Sequence, residues 1–272
     1  YNESMRMAAW SLFLLQALLG TDVRQGIASM KEPSKEAIEA HLKAIVGERT
    51  ARLSDSHLSR VIQYLRETLA NFGYELKADP FPFQGKSFEN IIAGKKGGRL
   101  DDRIIVGAHF DSVPGSPGAD DNASGVAVLL ELARILAPHQ WNHTIEFIGF
   151  HMEEWNMIGS SAYVRKLKQK NTKVRGMISL EMVGFTSEEP GSQKMPIGFS
   201  LFYPTVGNFI AIVGNLRSTG LLRGFREKMK TLDGLPVESI LLPLNGWVLP
   251  AARLSDHSPF WDSGYPALLI TD

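Results

Sequence analysis

The chain has 272 residues, which is enough for one large domain with a hydrophobic core of its own. Its 29 lysines and arginines balance 29 aspartates and glutamates, so neither nucleic acid nor an anionic membrane surface is expected as the main partner. The sequence contains no cysteine, which excludes disulfides, a cysteine nucleophile and thiolate metal ligands.

An apolar run near the start of the chain raises the question of targeting. Residues 8–20, AAWSLFLLQALLG, follow Arg6 and are too few to span a bilayer, but they match the core of a signal peptide in length. We therefore interpret residues 1–30 as a signal peptide or N-terminal extension, with a helix docked on the domain as the alternative. A signal peptide would make the mature protein secreted or periplasmic, with no membrane attachment after processing.

The first part of the domain changes from helical to extended patterning. Residues 35–46 and 54–72 carry apolar side chains at steps of three and four, which predicts two amphipathic helices. From Glu75 the pattern becomes extended. Residues 88–94 and 103–108 are predicted strands, and the second is a continuous apolar run of the kind found in sheets buried on both faces.

Strands and helices then alternate along the chain. Helices are predicted at residues 123–137, 156–170, 217–231 and 258–261, and strands at residues 144–150, 174–182, 209–213, 237–242 and 267–271. This alternation predicts an α/β fold, a three-layer α/β/α sandwich with a mostly parallel mixed sheet and helices on both faces. We expect residues 31–272 to form a single domain.

Side chains with metal-binding chemistry lie at the ends of three predicted strands. They are His109, the adjacent pair Glu153 and Glu154, and Glu181. Because ligands bind at the carboxyl ends of the strands in such sheets, we expect these side chains to share one edge. Together with His257 they supply two imidazoles and several carboxylates, which is the ligand chemistry of a hydrolytic zinc site.

Neighbouring residues strengthen this interpretation. Asp111, two residues after His109, suits a carboxylate that orients the imidazole through its second nitrogen. Glycines at positions 118 and 125 flank two adjacent aspartates, the second of which is Asp121, and would let them approach an ion closely. Glu153 and Glu154 would repel each other in a crevice unless cations compensate or one of the two carboxyl groups holds a proton. A metal site uses such a pair as one ligand and one general base.

Four motifs of the chain resemble those of a known family. The motifs GAHFDSV, PGADDNASG, FHMEEW and SDHSPFWDSGYPALLITD, in this order, are similar to those of the dizinc aminopeptidases of the bacterial leucyl aminopeptidase type, metallopeptidase family 28. The resemblance covers residues 35–272 and implies that residues 31–272 form a zinc-peptidase catalytic domain. It also implies two zinc ions per chain and peptide substrates with a free N-terminus. The N-terminal peptide bond would be hydrolysed by a zinc-bound hydroxide.

Carried over residue by residue, the resemblance assigns a role to each site residue. Asp121 would bridge the two zinc ions, and the peptide bond from Asp121 to Asn122 would be cis. His109 and Glu181 would complete one zinc site. Glu154 and His257 would complete the other, and Glu153 would be the general base. With Asp111, already interpreted as orienting His109, Glu153 makes up the predicted catalytic residues.

The chain departs from the family pattern in three respects. Glu181 replaces a more usual aspartate, so its extra methylene must be absorbed by the backbone or by a changed mode of ligation. The family usually continues past the last strand with a closing helix, so we expect a chain ending at Asp272 to be truncated at its C-terminus, with apolar surface exposed. Tyr203 matches only by position the tyrosine that some members use near the carbonyl oxygen.

Two other functions remain open. The first is a glutaminyl cyclase-like or other metal-dependent amide hydrolase on the same scaffold. Cyclases tend to carry an insertion after the paired acids, whereas EEWNMIGS runs straight into a predicted helix, as in the peptidases. The second is a non-catalytic binding domain, which the retained ligands argue against. The sequence leaves the oligomeric state, the metal's identity and the preferred side chain undetermined.

Overall fold

The computed structural model describes residues 31–50, 56–196, 198–231 and 235–272. Residues 1–30, interpreted as a signal peptide or N-terminal extension, lie outside the described residues. Within the described ranges, no helix has both the length and the apolar character needed to cross a bilayer.

The described residues form helices and strands in an order close to the predicted one. The α-helices are α1 Lys35–Ile45, α2 Ser56–Asn71, α3 Gly125–Leu136, α4 Ile158–Gln169, α5 Thr219–Met229 and α6 His257–Asp262. The strands are β1 Glu75–Phe83, β2 Lys86–Lys95, β3 Arg99–His109, β4 His143–Phe150, β5 Lys173–Leu180, β6 Ile210–Asn215, β7 Val237–Leu242 and β8 Ala267–Thr271.

All eight strands belong to one mixed sheet in the order β1-β2-β4-β3-β5-β8-β6-β7. The four central strands, β4, β3, β5 and β8, are parallel. The hairpin of β1 and β2 joins β4 antiparallel at one side, and β6 joins β8 antiparallel at the other, with β7 parallel to β6. The carboxyl ends of the four parallel strands therefore meet at one edge of the sheet.

Helices cover both faces of this sheet, which explains why the sequence of β3 is apolar throughout. Ile104 and Val106 pack into one core with α2, α3 and α5. Ile105, on the opposite face, packs into a second core with α4 and α6. Because successive side chains of a strand point to opposite faces, a strand buried on both sides reads as a continuous apolar run.

The predicted α/β fold with a mixed, mostly parallel sheet is confirmed. Two local predictions differ from the structure. β1 is a complete strand, paired with β2 through a turn at Gln84 and Gly85, both with positive φ, whereas the sequence indicated only extended patterning there. α3 begins at Gly125, later than predicted, because a kinked turn, Ala119–Ser124, precedes it.

Candidate metal centre

His109 is the centre of a cluster of acids at the carboxyl end of β3. Its side chain is buried, and Nε2 lies 3.2 Å from Asp121 Oδ1 and 3.2 Å from Glu181 Oε1. Glu153 Oε2 is 3.8 Å from the same nitrogen. The ring therefore faces three carboxylates, which come from the turn before α3 and from the segments that follow β4 and β5.

Two sets of side chains bring potential ligand atoms within 4.8 Å of one another. The first is His109, Asp121 and Glu154, and the second is His109, Glu153 and Glu181. The structure thus brings together four of the five predicted metal ligands and the predicted general base. Their predicted roles remain predictions, since geometry places the groups without assigning their chemistry.

Asp111 joins the two parts of the sequence that carry these acids. Its buried carboxylate accepts hydrogen bonds from the backbone N–H groups of Glu153 (3.2 Å) and Glu154 (3.3 Å). His109 Nδ1 lies 3.6 Å from Asp111 Oδ1 and 3.2 Å from the Asp111 carbonyl oxygen. Burial opposes ionisation, but the hydrogen bond and charge of His109 outweigh it, so the pKa of Asp111 lies below its ordinary value. Asp111 therefore contacts both the histidine and the paired acids.

Asp121 lies in the kinked turn that precedes α3. The bond from Asp121 to Asn122 is cis, as the resemblance implied. The side chain of Asn122 donates to the Leu180 carbonyl oxygen (2.8 Å) and accepts from the N–H groups of Gly125 (3.0 Å) and Met182 (3.2 Å). Asn122 thereby ties the turn to the residues on either side of Glu181.

The clustered acids raise one another's pKa. Burial, together with the charges of Asp256 and Glu181, raises the pKa of Glu153 to about 9. Burial and the charge of Asp121 raise the pKa of Glu154 to about 7. Burial disfavours a charged His109, but Glu181 and Glu153 outweigh it, so the pKa of His109 lies well above its ordinary value. These carboxyl groups are too close to be ionised together without a compensating positive charge.

Glu181 is held by a serine to which the sequence analysis assigned no role. Ser255 Oγ donates to Glu181 Oε2 (2.8 Å) and lies 3.0 Å from Ser179 Oγ, and both serines are buried. With Oε2 held in this way, Oε1 faces His109. A glutamate therefore fits where the family pattern has an aspartate, because its longer side chain is anchored at the far oxygen.

His257 is the predicted ligand that the structure does not bring into the cluster. Its ring is buried, packs against Trp261 with centroids 4.3 Å apart, and places Nε2 2.9 Å from the Ala252 carbonyl oxygen. Burial lowers the pKa of His257 to about 3, so the ring is neutral. Its Nδ1 has no hydrogen-bond partner among the described residues, yet it belongs to neither group of potential ligand atoms.

Asp256, the residue before His257, interacts electrostatically with the clustered acids. Asp256 is fully buried and is among the charges that raise the pKa of Glu153. Burial in turn raises the pKa of Asp256 to about 7. In the sequence, Asp256 stands out only as part of a motif, and its burial, which no local pattern reveals, brings its charge to bear on Glu153. Tyr203, the positional candidate for a carbonyl-binding tyrosine, donates to the Ser239 carbonyl oxygen (3.3 Å).

A mixed α/β sheet that gathers a buried imidazole and several carboxylates at its carboxyl edge is typical of metal-dependent hydrolases. The sequence model described as Peptidase family M28 matches residues 90–224. The chain is also 33% identical over 260 residues to the protein YfbL of Escherichia coli (strain K12), covering 89% of this chain and 78% of YfbL. The chain belongs to peptidase family M28, a family of metal-dependent peptidases.

A second relative is similar over a shorter stretch. Aminopeptidase YwaD of Bacillus subtilis (strain 168) is 44% identical over 114 residues, which is 41% of this chain and 25% of YwaD. The chain thus matches only a quarter of that aminopeptidase's length, so what the whole of YwaD does is not transferred to this chain by the match.

Solved structures have the same fold. The aminopeptidase from Aneurinibacillus sp. strain AM-1 superposes with a TM-score of 0.61 at 17% identity, covering 87% of this chain and 84% of that one. The glutaminyl cyclase of Porphyromonas gingivalis gives a TM-score of 0.58 at 19% identity over 86% and 80% of the two chains. At these identities the likeness is one of fold alone, and it does not distinguish a peptidase from a cyclase.

Proposed function

We propose that this protein is a zinc-dependent aminopeptidase that binds two zinc ions and hydrolyses the N-terminal peptide bond of peptides with a free amino group. One observation carries the proposal: a buried histidine whose Nε2 lies 3.2 Å from two carboxylates, Asp121 and Glu181, with Glu153 and Glu154 beside them. Family membership supplies the peptidase class. The number of ions, the mechanism and the choice of aminopeptidase are the proposed part.

The residues of the cluster fit a bound cation. Asp121 Oδ1 and Glu154 Oε1 are buried and have no hydrogen-bond partner among the described residues. A buried polar atom without a partner costs about 1–3 kcal/mol, and a coordinating cation would remove that cost. A cation would also offset the repulsion that raises the pKa values of Glu153 and Glu154.

His109, Asp121 and Glu181 would hold one ion, and Glu154 with Asp121 would hold the other. The predicted fifth ligand, His257, has an unpartnered Nδ1 and its other nitrogen at a carbonyl oxygen. That pattern is usual for metal-binding histidines, although a ring movement would be needed to join the cluster. When bound, the ions would supply Lewis-acid chemistry, polarising the substrate carbonyl and making a water more acidic.

Glu153 is suited to moving the proton. Its carboxyl group lies beside His109 and is not needed as a ligand by the assignment above. In the metal-free protein its pKa is about 9, and nearby cations would lower this value towards neutrality, where a general base is most effective. We propose that Glu153 accepts the proton of the attacking water and delivers it to the leaving amine.

A cavity beside the cluster supports an apolar side chain at the cleaved residue. The cavity has a volume of about 380 Å³ and includes Glu181 in its wall. Much of its lining is apolar, including Met182, Met195, Phe199 and Leu249. A peptide whose first carbonyl lies at the acids would thus have space for an apolar first side chain next to Glu181.

The cyclase alternative is less well supported by the local structure. α4 begins at Ile158, four residues after Glu154, so the segment that follows the paired acids has no room for an inserted loop. The binding-domain alternative is also weaker, because the acids and His109 remain assembled. The export suggested for residues 1–30 belongs to the same proposal, and sequencing the mature N-terminus from a producing culture would test it.

The experiment that tests the proposed function compares matched substrates on zinc-loaded protein. We expect two zinc ions per chain and hydrolysis of leucine p-nitroanilide, with no hydrolysis of the N-acetylated compound. Cyclisation of N-terminal glutamine without peptide cleavage would instead support the cyclase. A folded protein with neither bound metal nor turnover would support the binding domain.

A further inference from the structure

Arg49 is a buried arginine that contacts the backbone on both sides of the metal-binding loop. Its side chain is fully buried between α1 and the segment that follows β3. The guanidinium donates only to carbonyl oxygens: Nε to Phe110 (2.8 Å) and Nη2 to Gly118 (2.8 Å), while the two N–H groups of Nη1 are shared among Ile45 (3.0 Å), Gly47 (2.6 Å) and Pro117 (2.9 Å). No carboxylate of the described chain forms an ion pair with it.

The contacted carbonyls belong to the segment that carries the predicted ligands. Phe110 lies between His109 and Asp111, and Gly118 lies three residues before Asp121. The backbone of Arg49 makes two further bonds to Ser112: its N–H donates to Ser112 Oγ (2.9 Å), and its carbonyl oxygen accepts from the Ser112 N–H (3.3 Å). Arg49 therefore holds both ends of the loop from residue 110 to residue 118.

The fit around this guanidinium is close. Gly118 has a φ of 55°, and a Cβ atom at this position would lie 2.5 Å from Arg49 Nη2. The glycine is thus required both by its backbone conformation and by the approach of the arginine. The charges of Asp111, Asp121 and Glu154 act on the guanidinium and counteract the fall in its pKa that burial causes. Arg49 is consequently a buried positive charge that interacts electrostatically with Asp111, Asp121 and Glu154.

Burying a charged group among carbonyl oxygens alone is costly, so the group must form well-oriented hydrogen bonds to those oxygens. Arginine can do this because its planar guanidinium presents five donors in a rigid fork. A lysine would keep the charge but supplies three donors from a single nitrogen, and it could not reach the carbonyls of Phe110 and Gly118 together. Charge and loop geometry can therefore be separated by one substitution.

We propose that Arg49 is a positioning residue of the metal centre: by holding the carbonyls of Phe110 and Gly118 through its side chain, and Ser112 through its backbone, it sets the distance between His109 and Asp121 and so the affinity for metal. The inference rests on the proposed function, since it requires that these two side chains bind zinc. It assigns to Arg49 no contact with substrate.

The test is Arg49→Lys, compared with Arg103→Lys as a matched control. Arg103 lies on the same strand as His109 but pairs with Glu146 (2.6 Å), away from the cluster. The readouts are the zinc dissociation constant from chelator competition, the melting temperature of the metal-free protein, and amide hydrogen exchange of residues 110–124. We expect Arg49→Lys to weaken zinc binding by about 10–100-fold, as loss of an outer contact does, and to speed exchange in residues 110–124.

Arg103→Lys should lower the melting temperature without a change in zinc affinity beyond about twofold, since it leaves the loop intact. Equal zinc affinity for Arg49→Lys and the wild type would overturn the inference. An equal loss of affinity in both variants would also overturn it, because the effect would then be general destabilisation. If the wild type itself binds no zinc, the proposed function fails together with this inference, whereas the first two outcomes leave the proposed function standing.

Ser112→Ala decides the matter if Arg49→Lys does not fold. It removes the acceptor of the Arg49 N–H and leaves the guanidinium in place. The expected loss of zinc affinity is about fivefold, which corresponds to one ordinary hydrogen bond. Unchanged zinc affinity in this variant would contradict the inference.

Discussion

Loss of the hydrogen bond from Ser255 to Glu181 should weaken zinc binding by an amount that follows from the structure. Ser255→Ala removes a buried donor that lies 2.8 Å from Glu181 Oε2. Hydrogen bonds to charged groups contribute about 1.5–3 kcal/mol, which is roughly a factor of 10–150 in an equilibrium constant. Without the bond, the glutamate has one more freely rotating segment than an aspartate would have, and Oε1 is no longer held towards His109. We expect zinc affinity to fall by about tenfold or more.

The assay is chelator competition on metal-free protein, with Ser218→Ala as the matched control. Ser218 is equally buried, and its hydroxyl donates to Asn215 Oδ1 (2.7 Å), at the end of β6 and outside the cluster. The control should lose thermal stability and keep its zinc affinity. Wild-type zinc affinity in Ser255→Ala, or an equal loss in Ser218→Ala, would refute the reasoning that Ser255 selects the orientation of Glu181.

Three further predictions concern the acids and His257. Glu153→Gln should keep the zinc content of the wild type and lower kcat by about 10²–10⁴-fold, because only the proton acceptor is lost; near wild-type kcat would contradict its role. In metal-free protein the pKa of Glu153 is raised from 4.5 to about 9, so the folded state keeps a proton that the unfolded chain releases. The free energy of unfolding, measured in urea, should therefore fall as the pH rises through this interval, and Glu153→Gln should flatten the dependence. His257→Ala should reduce bound zinc from two ions to one, whereas the control Asp256→Asn should keep both. Elemental analysis of dialysed protein measures the zinc content, and an unchanged content in His257→Ala would place the second ion on other ligands.

The local pattern of the chain predicts much of the fold because secondary structure depends on neighbours in sequence. The continuous apolar run of β3 and the helical apolar spacing of α3 both follow from burial on the faces that these elements present. Strand order is different, since β2 pairs with β4 and β6 pairs with β8 across long separations. Strand pairing of this kind depends on the whole chain, so no short segment of the sequence predicts it.

The candidate metal centre shows the same difference between what is local in sequence and what is not. His109, Glu153, Glu154 and Glu181 could be located from sequence because each lies where an apolar strand ends, and the motifs that resemble the M28 pattern added Asp121. The contacts that orient them could not be located. Asp111 accepts from the backbone of the paired acids, a contact between segments more than forty residues apart. From sequence, Asp111 was expected to orient His109 and was counted among the catalytic residues, but its contact with the paired acids was not expected.

The sequence by itself therefore determined the class of fold, the family and the residue types at the carboxyl edge of the sheet. These depend on local periodicity and on short motifs in order. Only the tertiary structure decided that Ser255 anchors Glu181, that Arg49 holds the loop between His109 and Asp121, and that the ring of His257 lies apart from the cluster. Each of these depends on distances of a few ångströms between residues remote in sequence, and such distances are set by packing.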